Sequence, residues 1–320
     1  MDHSPRIVPA LLQPYLKHQT DTMVIDGALA TELENRGANI DDPLWSAKIL
    51  LEAPATIRQL HYDYFVAGAD VAISASYQAS FEGFAARGLD QKQSAALLRL
   101  SVELARQARD EFLEQAEADA VRHPPLVAAS VGPYGAHLQN GSEYHGDYSV
   151  SDRQLMDFHL RRIEVLLQPG PDLLALETIP SLREGELLLR ALEEFPQALA
   201  WLSFSCRDGA LLSHGERFAS AMMAAADSAQ ILAAGVNCTP PQFVSDLLRS
   251  VPGGTGKPLL AYPNSGECWV AGANSWLPGQ AGDSLAVMAA QWRSLGARII
   301  GGCCRTGVAD ITELSRSLRT

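Results

Sequence analysis

Along the chain, short apolar runs rich in β-prone residues alternate with longer stretches whose apolar positions recur every three or four residues. The short runs occupy 22–26, 71–76, 126–131, 173–176, 199–205, 231–237, 258–262 and 297–300. Such alternation predicts parallel strands covered by helices. Eight strand–helix units predict an α/β fold, a (β/α)8 TIM barrel; a doubly wound open sheet is the architectural alternative.

Several intervening stretches carry helix signals with a mechanism. Ser151-Asp152-Arg153-Gln154 and Ser181-Leu182-Arg183-Glu184 both fit a capping box, in which first and fourth side chains satisfy orphan backbone donors reciprocally. Behind them, Met156, Leu160, Ile163 and Leu167 form one apolar stripe, and Leu188, Leu192 and Phe195 another. The stretch 89–120 has good helix formers and no Gly or Pro, which predicts one long helix. With no repeat, low-complexity tract or linker to divide it, the chain reads as a single domain over 1–320.

A barrel gathers the C-terminal ends of all its strands on one face, so the residues just past each run are the candidates for chemistry. After the first four runs come Asp26-Gly27, Ser76-Tyr77-Gln78, Gly132-Pro133-Tyr134 and Glu177-Thr178. After the last four come Cys206, Cys238, Pro263-Asn264 and Cys303-Cys304. Gly301 and Gly302 precede the adjacent cysteines, and such glycines permit close backbone approach. Neighbouring cysteines pair poorly with each other, and with Cys238 as third they make an open zinc site, because a catalytic Zn²⁺ takes three protein ligands and keeps a fourth position. Cys206 and Cys268 read as incidental or core residues.

Composition narrows the partners. Of the 320 residues 47% are hydrophobic and 19% charged, ample for a large core. The net charge of −12 and the lack of any dense Lys/Arg run argue against nucleic acid. No apolar run has spanning length, so a membrane is not expected, and an odd five cysteines without a secretion signal point to reduced thiols and a cytoplasmic setting.

Taken together, Asp26-Gly27-Ala28-Leu29-Ala30-Thr31-Glu32-Leu33, Glu177-Thr178-Ile179-Pro180, Val236-Asn237-Cys238 and Gly301-Gly302-Cys303-Cys304 resemble the homocysteine S-methyltransferase family. The resemblance covers essentially the whole chain. It implies Zn²⁺ on Cys238, Cys303 and Cys304, and Asp26, Gly27 and Glu177 around the amino and carboxylate ends of homocysteine, with Ser76 a further candidate. The Gly141-Ser142-Glu143-Tyr144 segment is most similar to stand-alone enzymes that use S-methylmethionine.

The expected reaction moves a methyl group from a sulfonium, S-methylmethionine or secondarily S-adenosylmethionine, to the homocysteine thiolate, giving methionine. Tyr144 and Tyr148 are expected to face the sulfonium, with Glu143 or Asp147 supplying charge; cation–π contact is worth about 0.5–2 kcal/mol. The competing readings are a betaine-type methyltransferase, a zinc hydrolase and a non-catalytic zinc- or thiol-binding barrel.

Overall fold

The computed structural model describes residues 10–18, 21–40, 46–117, 121–138, 140–270, 275–277 and 283–319. Its strands are β1 (Met23–Val24), β2 (Val71–Ile73), β3 (Leu126–Val131), β4 (Leu173–Ile179), β5 (Ala200–Phe204), β6 (Ile231–Asn237), β7 (Leu259–Tyr262), β8 (Cys268–Val270), β9 (Ser275–Leu277) and β10 (Ala297–Ile300). Eight of them form one parallel sheet in the order β1-β10-β7-β6-β5-β4-β3-β2. The ring closes between its end strands through a parallel Ile25–Val71 bridge, with Asp70 N–H donating to Val24 O at 2.7 Å and Asp26 N–H to Val71 O at 3.0 Å. The fold is therefore the expected (β/α)8 barrel. Each of the eight apolar runs carries a barrel strand, although β4 extends three residues past its run, so that Glu177 and Thr178 lie inside the strand and not after it.

Period-two alternation divides the strand residues between two cores. Met23, Ile25, Leu126, Ala128, Leu173, Ala175, Trp201, Leu260, Tyr262 and Ile299 fill the barrel interior, while Leu12, Tyr15 and Leu16 pack beneath it. Val24, Val127, Ala129, Leu174, Leu176, Leu202, Phe204, Val236 and Ile300 face the helices instead. Continuing the inward parity upward places Ser130 and Glu177 in the barrel's top layer with Ser203 and Tyr262.

The helices follow their signals with two instructive differences. The long one runs Gln91–Gln115 under an Asp90/Gln93 capping box; 118–120 lie outside the described residues. Helix Asp152–Leu167 has the expected Ser151/Gln154 box, but its buried face comprises Leu155, Phe158, His159, Arg162, Ile163, Val165 and Leu166, so it is rotated from the predicted stripe and includes two polar side chains. Helix Leu182–Glu193 is capped one way only. Ser181 Oγ accepts from Glu184 N–H, whereas the Glu184 carboxylate is fully buried and turned elsewhere. An antiparallel hairpin, β8–β9, interrupts the seventh unit, between β7 and helix Leu285–Ser294, and was not expected from the sequence.

Candidate active site at the mouth of the barrel

The two glycines after β10 do what close approach requires. A Cβ on Gly301 would lie 2.6 Å from Ile25 Cβ, and one on Gly302 would lie 2.1 Å from Thr306 Oγ1. The chain end is thereby drawn against β1, with Gly302 N–H donating to Asp26 O at 3.2 Å and Cys303 N–H to Pro263 O at 2.8 Å. Across the mouth, Cys238 comes after β6 with a left-handed backbone, φ 45°.

The Sγ atoms of Cys238, Cys303 and Cys304 all fall within 4.8 Å of one another, and Cys238 Sγ and Cys304 Sγ are 3.6 Å apart. Tetrahedral zinc–thiolate bonds of about 2.3 Å separate their sulfurs by about 3.8 Å, so the trio matches the spacing of a shared metal ion. Three crowded thiols with no cation among them cannot all ionise, because each thiolate raises the cost of the next. A bound cation removes that cost. Cys206, buried at the end of β5, is outside the trio, and the side chain of Cys268 lies outside the described residues.

One cavity joins these sulfurs to Asp26, Gly27, Glu177, Tyr77, Glu143, Tyr144 and Tyr262. The Glu177 carboxylate accepts from Ser130 Oγ through one oxygen and from Tyr262 Oη at 3.2 Å through the other. Tyr262 is in turn fixed by Ser203 Oγ at 2.6 Å and by Trp201 Nε1–H, which donates to it at 3.2 Å. Burial still pushes Glu177 up to about 7. Asp26 is also raised well above the usual carboxylate range, by burial first; the Ile73 amide, donating at 2.9 Å, opposes this and Glu177 adds to it. Two buried acids side by side are poised to receive a cation.

Thr178, itself on the cavity wall, and Asn237 tie β4 to β6 next to these groups. Thr178 N–H donates to Asn237 Oδ1 at 2.7 Å and Asn237 Nδ2–H to Thr178 Oγ1 at 2.8 Å, both residues being buried. The clasp holds Thr178 at φ 60°, unusual for a β-branched residue, between Glu177 on one side and strained Cys238 on the other. Asn237→Ala would orphan the buried Thr178 amide. The expected result is a loss of about 2 kcal/mol of stability in denaturant melts, with weakened metal retention in a chelator competition.

Of the residues put forward from sequence, the fold brings together Asp26, Gly27, Glu177, Tyr144, Cys238, Cys303 and Cys304. Tyr144 Oη lies 3.9 Å from Cys238 Sγ. Ser76 and Tyr148 are not on the cavity wall. Ser76 Oγ donates to Ser130 O at 2.7 Å and lies 2.8 Å from Ser74 Oγ, so it supports the strand that carries Ser130. Tyr148 Oη donates to the buried Glu184, which also receives Tyr134 N–H at 2.7 Å and His159 Nε2 at 2.9 Å. Burial lowers the His159 pKa, against the opposing pull of Glu184.

Sequence reasoning placed Tyr77 past the second strand without giving it a specific role, and gave Arg162 none; Tyr77 is a wall residue. The buried Arg162 guanidinium donates to Ser76 O, Tyr77 O and Gly132 O at 2.9–3.1 Å, pinning the turns after β2 and β3. The signal that could have found it was the pair His159 and Arg162 on a helix face that is otherwise apolar.

Fold and site define a class: a (β/α)8 barrel whose mouth brings together three thiols, spaced as the ligands of one metal ion are, beside buried acids. The sequence model of the homocysteine S-methyltransferase family matches residues 23–318. Homocysteine S-methyltransferase YbgG of Bacillus subtilis is 47% identical over 311 residues, covering 95% of this chain and 99% of that protein. Homocysteine S-methyltransferase of Escherichia coli is 48% identical over 301 residues, covering 93% and 96%. The metallated crystal form of E. coli homocysteine methyltransferase MmuM superposes with a TM-score of 0.86 at 45% identity, covering 97% of this chain and 100% of that one. The chain belongs to the homocysteine S-methyltransferase family. Among the described residues no helix is long and apolar enough to cross a membrane.

Proposed function

We propose that this methyltransferase moves a methyl group from a sulfonium donor, S-methylmethionine first and S-adenosylmethionine second, to homocysteine held as thiolate on Zn²⁺ by Cys238, Cys303 and Cys304. The observation that carries the reading is the convergence of three thiols with Asp26 and Glu177 in one cavity. When bound, zinc would supply a thiolate at neutral pH from a thiol whose free pKa is about 8.5.

The chain's own residues do the rest. Asp26 and Glu177 take the substrate ammonium, whose charge compensates their burial; Gly27 offers backbone to the carboxylate, and Tyr144 and Tyr77 wall the cavity near the sulfurs. Three cysteinates would leave a divalent ion with a formal charge of −1, and −2 with the substrate thiolate, so the ion would supply a deprotonated sulfur without draining its electrons. The homocysteine sulfur forms a bond to the methyl carbon as the donor's carbon–sulfur bond breaks, its electron pair remaining on a neutral thioether. Charge cancels along this path, which a partly dried cavity favours. No side chain need move a proton at the methyl.

A donor panel tests this. Zinc-loaded protein is expected to form methionine from homocysteine with S-methylmethionine, more slowly with S-adenosylmethionine, and not with betaine, with one zinc per chain by metal analysis. Methionine formation only from betaine, or full activity in metal-free protein, would overturn the proposal.

A further inference from the structure

Among the described residues, every ionisable side chain on the cavity wall is an acid, a thiol or a phenol: Asp26, Glu34, Glu143 and Glu177 with the three cysteines and three tyrosines, and no Lys, Arg or His. Asp26 and Glu177 suffice for one ammonium. Glu143 is left over, and it is not a surface group. It is 6% exposed, and its Oε2 is buried with no hydrogen-bond partner among the described residues. A carboxylate oxygen left this way is costly unless a ligand cation meets it.

The backbone around Glu143 is built to hold it there. Gly135 lets the preceding helix press against the turn Ser142–Tyr144, since a Cβ on Gly135 would come within 2.4 Å of Glu143 N. Asn140 Oδ1 accepts from Ser142 N–H at 3.1 Å and also from Ser142 Oγ. Downstream, Tyr148 is anchored on Glu184, and the neighbour of Glu143, Tyr144, reaches to 3.9 Å from Cys238 Sγ. Thus the unpartnered carboxyl shares one short rigid turn with a ring that touches the sulfur cluster.

We infer that Glu143 is the counter-ion for the positively charged sulfur of the methyl donor, and so the residue that separates sulfonium donors from their neutral thioether products. Asp147, the other acid of this segment, cannot serve: its side chain is 75% exposed and lies 3.5 Å from both His145 and His214. Burial pushes Glu143 up to about 7, consistent with a group whose charged form awaits a cation. After transfer the donor sulfur is neutral, so the attraction ends with the reaction and favours release of the thioether. The inference rests on the sulfonium reading above.

The test uses zinc-loaded full-length protein and Glu143→Gln, which keeps the side chain's shape and removes its charge. At saturating homocysteine, the KM for S-methylmethionine should rise about 30-fold or more, while the Ki of methionine, measured against S-methylmethionine, and the KM for homocysteine stay within about threefold. Methionine differs from that donor only by the methyl and its charge. An unchanged donor KM in E143Q, or an equal weakening of S-methylmethionine and methionine, would overturn the assignment. If the wild-type enzyme accepts no sulfonium at all, the donor reading falls and this inference with it. Sulfonium-dependent activity that ignores the substitution sinks only Glu143.

Discussion

Cys304→Ala is expected to lose metal and activity together. With Cys238 Sγ 3.6 Å from Cys304 Sγ and Cys303 Sγ within the same 4.8 Å cluster, the three thiols are placed to act as one chelate, which is what the proposed function requires. Two thiolates leave zinc half-coordinated, and loss of a direct ligand should cost more than the 10- to 100-fold typical of groups that merely orient ligands. Chelator competition should therefore show affinity lowered by more than about 100-fold, with turnover at background. Cys238→Ala and Cys303→Ala should behave alike. Cys206→Ala is the control, because Cys206 is buried outside the trio, where burial raises its thiol pKa and its backbone amide is bonded to Thr239 Oγ1; Cys268→Ala is likewise expected to keep metal and activity. A Cys304→Ala protein that is active without metal would contradict the mechanism outright.

The barrel was legible because its strands are short, mostly buried on both faces and spaced by helices, so nearly all leave a largely apolar run; β10, with Arg298 inside it, is the exception that the isoleucines after it rescue. Site residues at strand ends were legible for a related reason: the fold itself sends Asp26, Glu177, Cys238 and Cys303 to one rim. The rest depended on facts that local pattern does not contain. Tyr148 shares one loop segment with Glu143 and Tyr144, yet its hydroxyl is captured by Glu184, a residue the sequence presented as half of a capping box. Glu184 instead ties together the Tyr134 amide, His159 and Tyr148, contacts separated by up to 50 residues. Arg162 escaped for the same reason, since its three carbonyl partners lie 30 to 86 residues away. The β8–β9 hairpin was missed because a three-residue strand, such as Cys268–Val270, is too short for alternation to register.

Glu177→Gln should make the enzyme worse at its reaction and more stable at alkaline pH. In the free protein burial holds Glu177 up to about 7, above its ordinary 4.5, so the folded chain keeps a proton that the unfolded chain has released between these values. Stability from this group is therefore complete below about 4.5 and is lost as pH rises through about 7. Gln mimics the protonated acid at every pH. The variant's Tm should match wild type near pH 4.5 and exceed it at pH 8, with no substrate present. On the proposed function substrate binding runs the other way, because there the ammonium of homocysteine meets the ionised carboxylate. Wild-type kcat/KM for homocysteine should climb between pH 6 and 8, and the variant should be about 30-fold or more weaker at pH 8, with a shallower rise. The substrate thiol ionises identically in both enzymes, so the difference between their profiles isolates Glu177. Opposite movement of stability and affinity marks a carboxylate kept buried for its ligand; a fall in both would mark one kept for the fold.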